Sequence, residues 1–132
     1  MSGFFYYIHH PMSNKKTLVL GASSNPEQYS HLAVKKLVQQ GHDVVAIGKD
    51  PFNIGTINVV STPEPFVQIH TVTLYLNRGR QESYIDYILS LHPKRVIFNP
   101  GAENPAFEKK LISEGIEALE ACTLVMLSAG TY

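Results

Sequence analysis

Thr17-Leu18-Val19-Leu20-Gly21-Ala22-Ser23-Ser24-Asn25-Pro26-Glu27-Gln28-Tyr29-Ser30 is the stretch whose reading decides the fold. Its first four residues form a short water-shy run that stops at a glycine. Such a run, bounded by turn residues, is the pattern of a central parallel strand buried on both faces. The next six residues, Gly21 to Pro26, are rich in turn formers. Beyond them Ala33, Val34, Leu37 and Val38 recur at helical spacing and predict one buried helix face. Gly41 then stands where a helix end takes a left-handed residue. Val44-Val45-Ala46-Ile47 repeats the strand pattern and stops at Gly48. Strand, glycine turn, helix, strand is the opening of a Rossmann-like unit.

The rest of the chain continues the alternation. Residues 49–66 carry Pro51, Gly55, Pro63 and Pro65 and read as an extended connection, with a short strand at Ile57–Val60. Val72–Leu76 is a third main strand. Gln81–Leu91 follows as a helix with Tyr84, Ile85, Ile88 and Leu89 inward, ended by His92-Pro93. Arg95–Phe98 is the fourth strand. Asn104-Pro105 opens another helix as cap and first-turn proline, with Phe107, Leu111 and Ile112 inward. Ile116–Leu119 is the fifth strand, and the apolar tail Cys122–Leu127 is a helix or a strand. The expected architecture is α/β: a single-domain, Rossmann-like, three-layer open parallel sheet of about five strands, with right-handed crossovers. The domain spans residues 15–132, and residues 1–14 form an N-terminal extension in which Met12 offers an alternative start. The ligand crevice is expected at the carboxyl ends of the strands, near the topological switch point.

Composition narrows the function classes. Eleven basic residues balance eleven acidic ones, with no run of like charge. A nucleic-acid partner would call for a basic face, and none is visible. The apolar run Phe4–Ile8 is too short for a signal-peptide core, and no stretch approaches a membrane span. Cys122 is the single cysteine, so no intrachain disulfide forms. A cytoplasmic setting is expected. The histidines at 9, 10, 31, 42, 70 and 92 lack zinc-ligand spacing, so no metal site is expected.

Gly21-Ala22-Ser23-Ser24-Asn25-Pro26 lies where Rossmann-type folds hold a pyrophosphate against backbone N–H groups and a helix dipole. Backbone amides of residues 22–24 are the expected phosphate contacts, and Ser30 lies a turn further on. The plain alternative is a strand–helix turn with Asn25 as cap. The G-x-G-x-x-G fingerprint is incomplete, because Ser23 and Pro26 replace its later glycines. The acid that would hold a ribose hydroxyl is also displaced: Gly48 and Lys49 come first and Asp50 follows. Lys49 reads as a solvated loop residue or as a cation for an extra ribose phosphate, which suits NADP better than NAD. The third strand ends in Asn77-Arg78-Gly79-Arg80, and Arg78 is a candidate phosphate clamp or a surface arginine. Gly101 permits close ligand approach or simply makes a Pro-Gly turn. No nucleophile elbow or phosphate-binding P-loop motif occurs, and no catalytic residue is assigned. Cys122, among apolar neighbours, is expected to be buried and inert.

Gly21, Ala22, Ser23, Pro26 and Ser30 match the G-A-S-x-x-P-x-x-x-S opening of the small CoA-binding-domain proteins, which are related to the CoA-binding domain of succinyl-CoA synthetase. The chain resembles that family over roughly residues 15–127. The TLYLNR segment, Gly101 with Asn104, and Cys122 add to the likeness. The loop Gly48-Lys49-Asp50-Pro51 and the strand Ile97-Phe98-Asn99 depart from it. The resemblance implies binding of coenzyme A or a related nucleotide, with no established chemistry. An NADP-binding oxidoreductase-like domain and a regulatory or interaction protein with an empty crevice are the alternatives. About a dozen residues follow the fifth strand, too few for a substrate domain, so self-contained catalysis is not expected. Homodimer formation is left open.

Overall fold

The computed structural model describes residues 14–132, so Met12, His9, His10 and the rest of residues 1–13 lie outside the described residues. Seven strands form one sheet: β1 (Thr17–Ala22), β2 (Val44–Gly48), β3 (Phe52–Ile54), β4 (Ile57–Val60), β5 (Thr71–Leu74), β6 (Arg95–Phe98) and β7 (Glu117–Glu120). Their order across the sheet is β3-β4-β2-β1-β5-β6-β7. β3 pairs antiparallel with β4, and every other pairing is parallel. Beyond the five main strands the sheet includes the short strand read at Ile57–Val60, which is β4. The strand not read is β3, which is three residues long and has too little periodicity to show.

Among the described residues the helices are α1 (Tyr29–Gln39), α2 (Arg78–Gln81), α3 (Ile85–Leu91), α4 (Pro105–Ser113) and α5 (Thr123–Ala129), with a 3-10 turn, Glu82–Tyr84, between α2 and α3. The segment read as one helix from Gln81 to Leu91 is thus three pieces. The final segment Cys122–Leu127 resolves as helix α5. The connection from β4 to β5 carries no helix, as its prolines require.

Alternation along the strands sends two sets of side chains to two faces. On one face Leu18, Leu20, Ile47, Val72, Leu74, Val96 and Phe98 pack with Ile88 of α3 and with Phe107 and Leu111 of α4. On the other, Val19, Ala46, Val59 and Ile97 pack with Val34 and Leu37 of α1 and Leu127 of α5. Two residues assigned inward by spacing turn out exposed: Val38 at 40% and Ile112 at 62%. Each sits at the margin of its helix's apolar stripe, beyond the reach of the sheet.

The α1–α5 face is also partly polar. Near the amino ends of the strands the Tyr132 hydroxyl meets Thr17 Oγ1. Arg95 donates from Nε to Thr71 Oγ1 (2.8 Å) and lays its guanidinium 4.4 Å from the Tyr132 ring centre. The Lys15 N–H donates to His42 Nδ1 (2.9 Å). Burial, then the charges of Lys15 and Arg95, push the His42 pKa down. Burial, Arg95 and Lys15 do the same to His70. Asn14 exchanges two hydrogen bonds with Asp43, so this last residue of the sequence-read extension is tied to the domain.

Candidate functional site

β1 lies at the point where strand order reverses: β2 and β4 continue to one side and β5, β6 and β7 to the other. Loops leaving β1 and β5 must diverge there, and a crevice opens between them. Two clefts of about 590 and 600 Å³ occupy it. They share Gly21, Ser23, Tyr75, Leu76 and Arg80 and form two arms of one groove. The first arm runs toward β2 and adds Ala22, Ser24, Gly48, Lys49, Asp50, Phe52, Ser61, Ser83 and Tyr84. The second runs toward β6 and adds Glu27, Tyr29, Ser30, Asn77, Asn99 and the Pro100–Ala102 turn.

The glycine loop is held by its own side chains. The Ser23 N–H donates to Ser30 Oγ (3.1 Å), and Ser30 is buried beneath it. His31 is buried too and donates from Nδ1 to the Ser23 carbonyl (2.7 Å). The Asn25 N–H reaches Ser23 Oγ, and the Glu27 N–H reaches Asn25 Oδ1. The amide of Ser23 and the hydroxyl of Ser30, both expected to meet a ligand, are therefore bonded to each other. Among the described residues, the N–H groups of Ser24, Tyr29 and Ser30 take no partner. These donors, at the loop and the first turn of α1, face the positive end of the helix dipole.

Two glycines are explained by the sheet rather than by the groove. Gly21 has φ +100°, and a Cβ there would come within 3.0 Å of the Tyr75 carbonyl. A Cβ on Gly48 would come within 2.6 Å of the Ala22 carbonyl, at the shift in register between β1 and β2. Gly101, with φ +95°, has open space where a Cβ would stand.

Of the residues singled out in the sequence, Gly21, Ala22, Ser23, Ser24, Gly48 and Lys49 meet in the first arm, and Ser30, Asn77 and Gly101 lie in the second. Asn25 and Pro26 shape the loop from outside. Arg78 lines neither arm, whereas Arg80 lines both. Asn77 explains the exchange. Its Oδ1 accepts the Arg80 N–H (3.0 Å) and caps α2, so the chain is already helical from Arg78. Residues two apart on a helix point to nearly opposite sides. Reading Asn77 as a cap would have found Arg80. Asp50 shares the first arm with Lys49 and offers an acceptor to a sugar hydroxyl. Tyr75 and Leu76 come from the TLYLNR segment, whereas Ser61, Ser83 and Tyr84 come from segments without a motif.

Two buried networks fix the floor of the groove. Asn99 donates from Nδ2 to Thr73 Oγ1 (2.7 Å) and to the Leu74 carbonyl (2.9 Å), and its Oδ1 accepts the Thr123 N–H (2.9 Å). Gln81, fully buried, donates to the carbonyls of Leu76 (2.8 Å) and Ala102 (2.6 Å) and accepts from Asn104 Nδ2 (2.9 Å). Burial of the Tyr75 hydroxyl pushes its pKa well above the usual tyrosine value. Cys122 corrects an expectation: it is partly exposed at the N-cap of α5, outside the core, because the chain turns there to begin the helix.

Unpartnered amides, hydroxyls, an ammonium and a guanidinium beside two aromatic rings fit a phosphorylated nucleotide. Comparison with known proteins agrees. A family model described as a CoA binding domain matches residues 15–128. An uncharacterized protein of known crystal structure is 44% identical with a TM-score of 0.88, covering 91% of this chain and 99% of its own. A protein from Thermus thermophilus (22% identity, TM-score 0.75, 99% of this chain and 98% of its own) shares the fold. So does a conserved hypothetical protein from Pyrococcus furiosus (20% identity, TM-score 0.72, 84% and 97%). No curated protein shows significant similarity.

Proposed function

Because this chain belongs to the CoA binding domain family, we propose that it binds coenzyme A in the two-armed groove. The observation that carries this reading is the placement of Arg80 at the junction of the arms with Lys49 in the first. Coenzyme A carries a diphosphate and a ribose 3′-phosphate at one end and a thiol at the other. In this reading the amides of Ser24, Tyr29 and Ser30 and the Arg80 guanidinium hold the diphosphate. Lys49 meets the ribose phosphate, Asp50 accepts from a sugar hydroxyl, and Tyr84 and Phe52 flank the adenine. Gly101 leaves room for the tail. Coenzyme A, when bound, supplies a thiol able to carry acyl groups. The protein's part is to bind, orient and shield it. We place this binding in the cytoplasm, where one lone thiol stays reduced. Among the described residues no helix is long and apolar enough to cross a membrane.

Calorimetry tests the reading. Coenzyme A should bind more tightly than dephospho-CoA, and Lys49→Ala should remove most of the difference. A charge-assisted contact contributes about 1.5–3 kcal/mol when shielded. Both arms are open on one side, so about tenfold in Kd is expected for Arg80→Ala. Arg78→Ala should leave affinity within about twofold of the native value. Failure of coenzyme A to bind, or tighter binding of NADP, overturns the reading.

A further inference from the structure

The charged residues of the groove are unevenly shared. Lys49 and Asp50 belong to the first arm alone, and Arg80 stands at the junction. The second arm has no cation beyond Arg80, and its other charged residue is Glu27. The Glu27 backbone is held at the rim by its N–H, which donates to Asn25 Oδ1 (3.0 Å), and its side chain is exposed. A second carboxylate braces the wall of the arm. Glu103 Oε1 accepts the Gly101 N–H (2.9 Å) and so braces the turn that lines the arm. Beyond it the hydrogen bond with Glu108 and that carboxylate's charge, with a further contribution from Glu103, raise the pKa of Glu120. Glu27 is the carboxylate that lines this arm. The rest of its walls is largely neutral: Tyr75, Leu76, Pro100, Ala102 and Asn99, with Tyr29 at the rim 61% exposed. A large aromatic side chain left open to water beside a groove gains by being covered with an apolar group.

Resting on the coenzyme A reading, we propose that the second arm selects an uncharged tail, so that the free thiol or a short neutral acyl thioester binds and an acyl group ending in a carboxylate is disfavoured. Lys49 and Arg80 draw the phosphates to the first arm and the junction, which sends the tail toward Glu27. A terminal carboxylate there meets Glu27, and the arm's one cation, Arg80, is already engaged by the diphosphate. An acyl chain that ends in a methyl group covers Tyr29 and Leu76 instead. Glu27 is the residue through which the discrimination acts.

The test is calorimetric titration of the native protein and Glu27→Gln with three probes: coenzyme A, butyryl-CoA and succinyl-CoA. Butyryl-CoA should bind at least as tightly as coenzyme A. Succinyl-CoA should bind about three- to tenfold more weakly than butyryl-CoA, as expected for like charges several ångströms apart in a half-open groove. Glu27→Gln should bring that ratio below about twofold while leaving butyryl-CoA affinity nearly unchanged, and added salt should shrink the native ratio in the same direction. Succinyl-CoA binding as tightly as butyryl-CoA, with coenzyme A itself bound, overturns this inference and leaves the coenzyme A reading standing. Absence of binding by all three overturns both.

Discussion

Replacing Gln81 with methionine keeps the length and nearly the volume of the side chain but removes its hydrogen bonds. Gln81 is fully buried and ties together three segments: the loop after β5 through the Leu76 carbonyl, the loop after β6 through the Ala102 carbonyl, and the cap of α4 through Asn104. Each bond contributes about 1 kcal/mol net, and a buried group left unpaired costs about 1–3 kcal/mol. The Ala102 carbonyl and the Asn104 amide face no solvent that could replace Gln81. The thioether regains part of this through apolar burial. A net loss of about 3 kcal/mol follows, a large share of the roughly 5–15 kcal/mol that holds a domain folded. In a domain of this size that lowers Tm by about 10 °C. Urea unfolding followed by circular dichroism gives the free energy directly. Asn104→Ala and the double variant should show coupling of about 1 kcal/mol, because both residues act in one network. A loss below about 1 kcal/mol for Gln81→Met, or strict additivity with Asn104→Ala, would refute the reasoning.

Two further outcomes are expected. His42 and His70 both have folded pKa values pushed below 6.5. The unfolded chain therefore binds more protons as pH drops through 6.5, and stability should fall from there until the folded pKa is passed. Urea midpoints at pH 8, 7, 6 and 5 check this, and stability that rises on acidification in that window contradicts it. Gln68 has φ 58°, a left-handed conformation that suits glycine. Gln68→Gly should raise stability by about 0.5–1 kcal/mol, whereas Gln68→Val should lower it by about 1–2 kcal/mol; thermal melts in which both variants move together would argue against strain at this position.

The main strands and helix faces were legible because burial on both sides of a parallel sheet leaves continuous runs such as Leu18-Val19-Leu20 and Val96-Ile97-Phe98. The caps were legible where chemistry is local: Asn104 does accept the Phe107 N–H, and Gly41 does have φ +88°. Tertiary closeness was not legible. Nothing in the sequence says that Ser30 reaches back to the Ser23 amide, or that Gly48 is a glycine because the Ala22 carbonyl crowds it. The cation at the junction of the arms was placed two residues away, at Arg78, because the capping turn begun by Asn77 was read as the end of a strand. Cys122 was read from its apolar neighbours, but those neighbours belong to α5, and the cysteine precedes that helix.

Among the described residues β7 closes one side of the sheet, and its outer backbone groups face away from β6. An unpaired strand edge is a template on which another copy of the same strand can add. Ala118 and Leu119 are the kind of residues that would favour such stacking, and exposed Glu117 and Glu120 flank them. Two copies brought edge to edge must set carboxylate beside carboxylate, so charge keeps concentrated molecules apart. That defence lasts only while the carboxylates stay charged. Glu120, with Glu108 beside it, takes up its proton early. Concentrated solutions are therefore expected to self-associate along β7 more readily as they become mildly acidic, which light scattering against pH checks.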